Sequence, residues 1–185
     1  MWYIEFMKSF FILLLITILT TACTPSKSSK GGIFINGIYK NSQLKYKIGK
    51  LSSKWKQLEV DYLNLTFYNK ENNAVIYVNG KCRASSDLPL TILRTHLLIG
   101  FKNKKILKSE NLEIENRKAL HSIVLASLDG VKRKVDYYIL KKNGCLYDFV
   151  LISTIKSFDE NQKEFQKILK KFKIIKGSNI KVFVK

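Results

Sequence analysis

The residues of this sequence whose chemistry is easiest to predict are three cysteines and two histidines: Cys23, Cys82, Cys145, His96 and His121. Cys23 is set apart by the residues before it. Lys8 is followed by an apolar run over residues 10–19, in which Thr17 is the only polar residue, and then by the small residues 20–22. A basic residue, an apolar run and small residues in this order are typical of a secretory signal with its cleavage site.

The segment from Leu19 to Cys23 resembles the lipobox of bacterial lipoproteins. In that family the cysteine thiol is lipidated and the signal is cut directly before it. The resemblance implies a signal peptide over residues 1–22 and lipid attachment at Cys23, which would hold the chain on a membrane. The segment departs from the family pattern at Thr20, where leucine is preferred. The alternative is an ordinary cleaved signal followed by an unmodified cysteine.

The residues around Cys23 also bear on where the chain is anchored. The apolar run is shorter than the ~20 residues of a membrane span. Residues 23–32 are rich in Ser, Gly and Lys, which predicts a flexible tether. In Gram-negative lipoproteins an Asp after the cysteine favours the inner membrane, so Thr24 implies the outer membrane, with the domain facing the periplasm. Glu5 fits a basic leader poorly, and Met7 is a more orthodox first residue than Met1.

The net charge of +19 raises the question of nucleic-acid binding. Of the 33 basic residues 29 are lysine, whereas arginine is the preferred reader of phosphates and bases. The lysines are also spread along the chain, and an export signal directs the domain away from nucleic acid. We expect no nucleic-acid partner. The alternative use of the charge is contact with anionic lipid or envelope polymer through the last helix, at Lys163, Lys167, Lys170 and Lys171.

Cys82 and Cys145 remain as a pair once Cys23 is assigned to lipid. An exported protein can form a disulfide from such a pair if the fold brings the Cα atoms to ~5.5 Å. Two buried free thiols are the alternative. A metal site built from both cysteines, His96 and His121 would lack the close ligand spacing of a preformed zinc site. We therefore expect neither a metal nor a cofactor.

Two turn signals predict a three-stranded antiparallel meander. Asp129-Gly130 and Asn143-Gly144 tolerate the positive φ of two-residue hairpin turns. They separate strands over 119–128, 131–142 and 145–155. The middle strand is predicted to be half-exposed, because Lys132, Lys134, Asp136 and Tyr138 share one face. The last strand is apolar on both faces and should be central, with Asp148 needing a partner or an exit to water.

Further elements surround the meander. Strands are predicted over 58–68, 74–83 and 46–50, and residues 113–116 should connect to the meander. Helices are predicted over 88–99, with Asp87 as N-cap, and over 158–173, where Ser157 and Glu160 have capping-box spacing. The domain then covers 33–175, and residues 176–185 form a basic tail or edge strand, with alternation over 179–185. This order indicates an α+β fold, an antiparallel sheet flanked by helices.

The order of these elements resembles bacterial lipoproteins of the PsbP-like α/β/α sandwich type. The resemblance rests on the runs Leu88-Pro-Leu, His96-Leu-Leu-Ile-Gly-Phe101, Leu128-Asp-Gly-Val131 and Lys142-Asn-Gly-Cys-Leu-Tyr-Asp-Phe149, followed by a Phe-rich last helix. It covers residues 42–172 and specifies fold better than function. It implies a non-catalytic binding or scaffold domain without assigned binding residues.

No catalytic motif accompanies these features: the sequence lacks a G-x-S-x-G elbow, a P-loop, G-x-G-x-x-G and H-E-x-x-H. We expect His96 to bond a nearby carbonyl and His121 to lie on a strand pointing to an edge. The sequence therefore predicts a lipid-anchored envelope protein that binds or assembles with an envelope protein partner and is not an enzyme. A hydrolase acting in a sheet–helix cleft is the catalytic alternative.

Overall fold

Antiparallel strands in two sheets make up most of the described chain. The computed structural model describes residues 32–60, 65–82 and 88–176. Within these ranges the helices are α1 (Leu90–Leu97) and α2 (Phe158–Lys170). In chain order the strands are β1 (Ile33–Ile35), β2 (Ile38–Lys40), β3 (Lys45–Lys47), β4 (Lys56–Leu58), β5 (Leu65–Asn69), β6 (Ala74–Cys82), β7 (Lys102–Ile114), β8 (Arg117–Leu128), β9 (Val131–Lys142), β10 (Cys145–Ser153) and β11 (Lys173–Lys176).

The large sheet has the order β4-β5-β6-β10-β9-β8-β7, and every neighbouring pair is antiparallel. The predicted meander is confirmed as β8–β9–β10. Its turns have positive φ at both central positions, 50° and 81° at Asp129 and Gly130, and 54° and 69° at Asn143 and Gly144. The predicted central place of β10 is also confirmed, since it lies between β6 and β9.

The small sheet has the order β1-β2-β3-β11 and joins the two ends of the domain. Its first hairpin turns at Asn36 and Gly37, with φ of 51° and 78°. Its last strand follows α2 almost directly and pairs with β3. The helix predicted to run to residue 173 therefore ends at Lys170, because the chain must turn back to reach β3.

Three other boundary predictions are wrong. Residues 113–116 do not merely connect to the meander: β7 ends at Ile114, and Glu115 and Asn116 form the turn into β8. The strand predicted over 58–68 is two antiparallel strands, β4 and β5. Ser157 makes no side-chain cap to α2, since its hydroxyl donates to the carbonyl oxygen of Asn72, 3.1 Å away.

The other predicted helix is shorter than expected. It begins after Pro89 and ends at Leu97, and the chain leaves it through Gly100 at φ +89°. Asp87, the expected N-cap, and the predicted edge strand over 179–185 lie outside the described residues.

The large sheet is covered on both faces. One face packs against α2 and the small sheet through a core that includes Tyr46, Phe149, Phe165 and Ile168. The other face packs Val124, Tyr137 and Val150 against Leu93 of α1. This layering confirms the α+β prediction and corrects one detail. The Lys132–Tyr138 face of β9 is not half-exposed along its length, because α2 covers Asp136 and Tyr138, which are 0% and 6% exposed.

Gly49 fixes the distance between the small sheet and α2. It follows β3, and a Cβ atom at this position would lie 1.9 Å from the carbonyl oxygen of Lys167. Only the absence of a side chain permits two backbones to come so close. Nearby, Glu164 of α2 accepts a hydrogen bond from the backbone N–H of Ser52, at 3.1 Å, so this loop and the helix are joined at two points.

Candidate functional site

A charged hydrogen-bonded cluster lies between the large sheet and α2. Glu110, His121 and Asp136 come from β7, β8 and β9. The Nδ1 atom of His121 is 2.8 Å from Oε1 of Glu110, and its Nε2 atom is 2.8 Å from Oδ1 of Asp136. The other oxygen of Asp136 accepts a hydrogen bond from Nε2 of Gln162, at 2.8 Å. We call these four residues the His121 cluster.

Aromatic packing encloses the His121 cluster from the side. The ring of Tyr138 is stacked on the imidazole of His121, with centroids 4.1 Å apart and planes 6° from parallel. Gln166 donates a hydrogen bond to the hydroxyl of Tyr138, at 2.9 Å, and so holds that ring in place. At the solvent end, Lys108 lies 2.8 Å from Glu110. The histidine is thus buried, and of its two carboxylate partners only Glu110 is partly exposed.

The charges of the His121 cluster follow from these contacts. Burial acts to lower the pKa of His121, but its hydrogen bonds to Asp136 and Glu110 outweigh burial, and the pKa lies above the ordinary value of 6.5. The hydrogen bond from Lys108, followed by that from His121, lowers the pKa of Glu110. The electrostatics favour the imidazolium form of His121 beside an ionised Glu110.

This geometry limits what the His121 cluster can do chemically. Both ring nitrogens of His121 are engaged by carboxylates, whereas a general base needs a nitrogen that can reach a substrate proton. The cluster instead joins three strands to α2. The expectation that His121 points to an edge is wrong, since β8 is the second strand of the sheet and the residue is 4% exposed.

The sequence did carry a signal for this arrangement. A two-residue turn at Asp129-Gly130 pairs Ile123 with Asp136 and His121 with Tyr138. His121 and Asp136 must then lie on one face of the sheet, in residue pairs that are two positions apart, because side chains alternate along a strand. Glu110 could not be placed in this way, since residues 102–109 of β7 carry no apolar alternation that would reveal a strand.

Asp148 is a second buried carboxyl group, on the opposite face of the large sheet. It lies on β10 between Asn79 and Ile139, and its Oδ1 atom has no hydrogen-bond partner among the described residues. Burial raises its pKa from 3.8 to about 7. The partner that the sequence called for is therefore not provided to Oδ1 by the described chain.

Cys82 and Cys145 are joined by a disulfide in the structure. They are directly paired residues of β6 and β10, with Cα atoms 4.0 Å apart. Of the two alternatives left by the sequence, the structure contains the bonded one. Neither sulfur is then a thiolate that could ligate a metal. His96, the other imagined ligand, is exposed on α1, and the described residues hold no group of His, Cys, Asp and Glu suited to a metal ion.

The four lysines proposed for anionic contact are all exposed on α2 or directly after it: Lys163, Lys167, Lys170 and Lys171. Their surface is less basic than the lysines alone indicate. The helix also carries Asp159, Glu160 and Glu164, which equal its three lysines in number. Lys167 is paired with Glu164 at 2.5 Å. The helix as a whole is close to neutral.

Cys23 and the rest of the predicted signal and tether, up to residue 31, lie outside the described residues. Within the described part of the chain, neither helix has the length and apolar character needed to cross a bilayer.

Solved structures of other proteins share this layering of two helices on a long antiparallel sheet. The solution structure of cyanobacterial PsbP (CyanoP) from Synechocystis sp. PCC 6803 matches with a TM-score of 0.56 at 13% identity, over 81% of this chain and 99% of that one. The fold is PsbP-like. LpqN, involved in cell envelope biogenesis of Mycobacterium tuberculosis, matches with a TM-score of 0.54 at 10% identity, over 71% of this chain and 84% of that one.

The sequence itself is more isolated than the fold. No protein-family model and no curated protein matches it. At 10–13% identity the structural likeness concerns the fold alone. The predicted PsbP-like architecture is therefore confirmed, while site residues have to be argued from this chain.

Proposed function

We propose that this chain is a lipid-anchored envelope protein whose PsbP-like domain binds or assembles with another envelope component and does not itself catalyse a reaction. The observation that carries the proposal is the division of the cysteines. Two of the three form a disulfide between β6 and β10. The third is Cys23, which directly follows a segment typical of an export signal. Disulfides persist in oxidising compartments outside the cytoplasm, as an exported lipoprotein requires.

Two further points support the proposal. LpqN shares the fold and takes part in cell envelope biogenesis, which is consistent with an envelope role for this chain. The His121 cluster, the strongest candidate for catalysis among the described residues, has both ring nitrogens engaged within the protein. We therefore assign it a structural role. Thr24, in place of Asp, favours the outer membrane and the periplasmic face.

Metabolic labelling with a fatty acid, followed by membrane fractionation, tests the anchor. We expect the full chain to be labelled and to stay with the membranes after an alkaline wash, and Cys23→Ser to lose both properties. The matched control is the double variant Cys82→Ser/Cys145→Ser, which removes the other two cysteines and should keep the label. Retention of Cys23→Ser in washed membranes would contradict the anchor.

Cross-linking in intact cells tests the assembly role. We expect the lipidated chain to be joined to a second envelope component at its natural expression level. A chain that is recovered only as the uncross-linked monomer, with its anchor intact, would count against assembly while leaving the anchor in place.

A further inference from the structure

The small sheet unites the two parts of the chain that contain no acidic residue. Between Glu5 and Glu59 the sequence has neither Asp nor Glu, and after Glu164 it has none again. Strands β1, β2 and β3 come from the first of these segments and β11 from the second. The fold therefore gathers into one sheet two segments, distant in sequence, whose only charged side chains are basic.

The small sheet has one buried face and one exposed face. Tyr39, Tyr46, Phe34 and Ile174 pack into the core. The residues that alternate with them point outward, as the two-residue period of a strand requires. We call the exposed ones among them the outer face, which consists of three isoleucines and three lysines: Ile33, Ile35, Ile175, Lys40, Lys47 and Lys173.

The outer face combines exposed apolar surface with unneutralised charge. Ile33, Ile35 and Ile175 are 66%, 62% and 47% exposed. Lys47 lies directly opposite Lys173 in the register, and like charges in this relation are destabilising. No carboxylate in the described chain pairs with the three lysines of the face. In contrast, α2 is balanced by its own acidic residues.

The outer face also includes the first strand of the described chain, which follows the proposed tether in sequence. The described chain begins at Gly32, whose N–H donates to the hydroxyl of Tyr39 at 3.0 Å, so the tether arrives at β1 and β2. The ten residues 23–32 reach at most ~35 Å when extended. Isoleucines and lysines held this close to a bilayer have the chemistry of an interfacial contact, in which apolar side chains enter the headgroup region and lysines meet anionic lipid.

We propose that the outer face of the small sheet, rather than α2, is the surface by which this domain docks on a bilayer of anionic lipid. The inference rests on the proposed lipid anchor for its geometry. It orients the domain with the outer face of the small sheet toward the headgroups. Docking relieves the repulsion between Lys47 and Lys173, because both then face phosphate groups.

A fluorescent label on the full-length lipidated chain tests the docking. In Ile35→Cys the new thiol is the only free one, since Cys23 carries lipid and the other two cysteines are bonded. The probe is an environment-sensitive dye, and the vesicles are phosphatidylcholine alone or with phosphatidylglycerol, both doped with nitroxide-labelled lipid. The matched control is Ile106→Cys on β7, where an isoleucine 48% exposed lies among Lys104, Lys105 and Lys108.

We expect the dye at position 35 to be quenched by anionic vesicles. The quenching should be weaker with neutral vesicles and weaker at high salt, and the dye at position 106 should stay unquenched. The triple variant Lys40→Glu/Lys47→Glu/Lys173→Glu should abolish the quenching, since each lysine near an anionic surface contributes about fivefold in affinity. The matched reversal Lys163→Glu/Lys170→Glu/Lys171→Glu on and after α2 should leave it intact.

Other outcomes would overturn the docking proposal. Equal quenching at both positions, quenching that ignores lipid charge, or loss of quenching only in the α2 variant would each contradict it. Energy transfer between labelled copies without quenching would assign the outer face to a second copy of the chain instead.

Failure of the anchor is recognised separately. A parent chain that takes up dye at Cys23 is not lipidated, which contradicts the proposed function. The label at position 35, in a Cys23→Ser background with vesicles added from solution, then still reports whether the face docks.

Discussion

The Nε2 atom of His121 lies 2.8 Å from Oδ1 of Asp136, at a place where both side chains are almost completely buried. Neither group could be left in this position alone, because a buried charge without a partner is costly. The pair is the inner half of a cluster whose outer half, Glu110 and Lys108, reaches solvent. The stability of the α2 side of the sheet should therefore depend on the protonation of a single imidazole.

Asp136→Asn keeps the shape of the side chain and removes its charge. We expect the pKa of His121 to fall, and the free energy of unfolding near pH 6 to decrease by about 2 kcal/mol, since a charged hydrogen bond is lost in a buried place. Proton NMR in a His96→Gln background follows the remaining imidazole. An unchanged His121 titration would show that Asp136 does not hold its proton.

The same cluster predicts a pH dependence of stability. Because the pKa of His121 is raised on folding, its contribution is complete below about pH 6.5 and is lost as the pH rises through the folded value. Urea unfolding of the wild type and of His121→Gln at a series of pH values should therefore converge toward alkaline pH. Curves that stay parallel would contradict this assignment.

Asp148 should also make the folded state less stable as the pH rises, but for a different reason. The unfolded chain loses this proton near pH 3.8 and the folded chain near 7, so the cost of the buried carboxylate grows between these values and is complete above pH 7. The difference corresponds to about 4 kcal/mol. We expect Asp148→Asn to recover part of it, raising the free energy of unfolding at pH 8 while changing little at pH 4. Greater stabilisation at pH 4 than at pH 8 would be inconsistent with a buried ionised carboxylate.

Removal of the disulfide should weaken the sheet without altering the anchor. The bond closes a loop of 63 residues, and loops of this size gain about 4 kcal/mol from cross-linking. We expect the double variant Cys82→Ser/Cys145→Ser to unfold at correspondingly lower denaturant concentration. Addition of reductant should have the same effect on the wild type and none on the double variant.

Gly49→Ala tests the contact between the small sheet and α2. The new Cβ would meet backbone, so the two elements must separate, at a cost of about 2 kcal/mol or more. Gly130→Ala serves as the comparison: its φ of +81° strains the backbone, but a Cβ there meets nothing within 4 Å. In thermal unfolding Gly49→Ala should be the more damaging variant. The opposite order would mean that the small sheet and α2 can move apart at little cost in stability.

The parts of the fold that the sequence revealed are those with local signals. Asp129-Gly130 and Asn143-Gly144 located the meander because a two-residue turn fixes both register and partner. Asn36-Gly37 carries the same signal and would have revealed the β1–β2 hairpin. The edge strand β7 could not be recognised, since its exposed residues from Lys102 onward have no apolar alternation.

Long-range pairing explains the remaining errors. Residues 171–173 look like the end of a helix until β3, more than a hundred residues earlier, is seen to pair with the strand that begins at Lys173. Likewise, lysines on one face of β9 suggested exposure at Asp136, and only the packing of α2 across the sheet buries it. The candidate site was missed in part for the same reason: the Asp129-Gly130 turn could have placed Asp136 beside His121, but Glu110 and Gln162 join the cluster through tertiary structure.

The place of β6 beside β10 has a consequence for the order in which the chain folds. Strands β7 to β10 are consecutive hairpins and can pair as soon as each turn forms, whereas β6 must close a loop over all three intervening strands to reach β10. The two sulfurs can meet only when this long-range pair has formed. Oxidation of Cys82 with Cys145 thus records that β6 has reached β10, and chains in which this pairing has not formed can be distinguished by their reduced thiols.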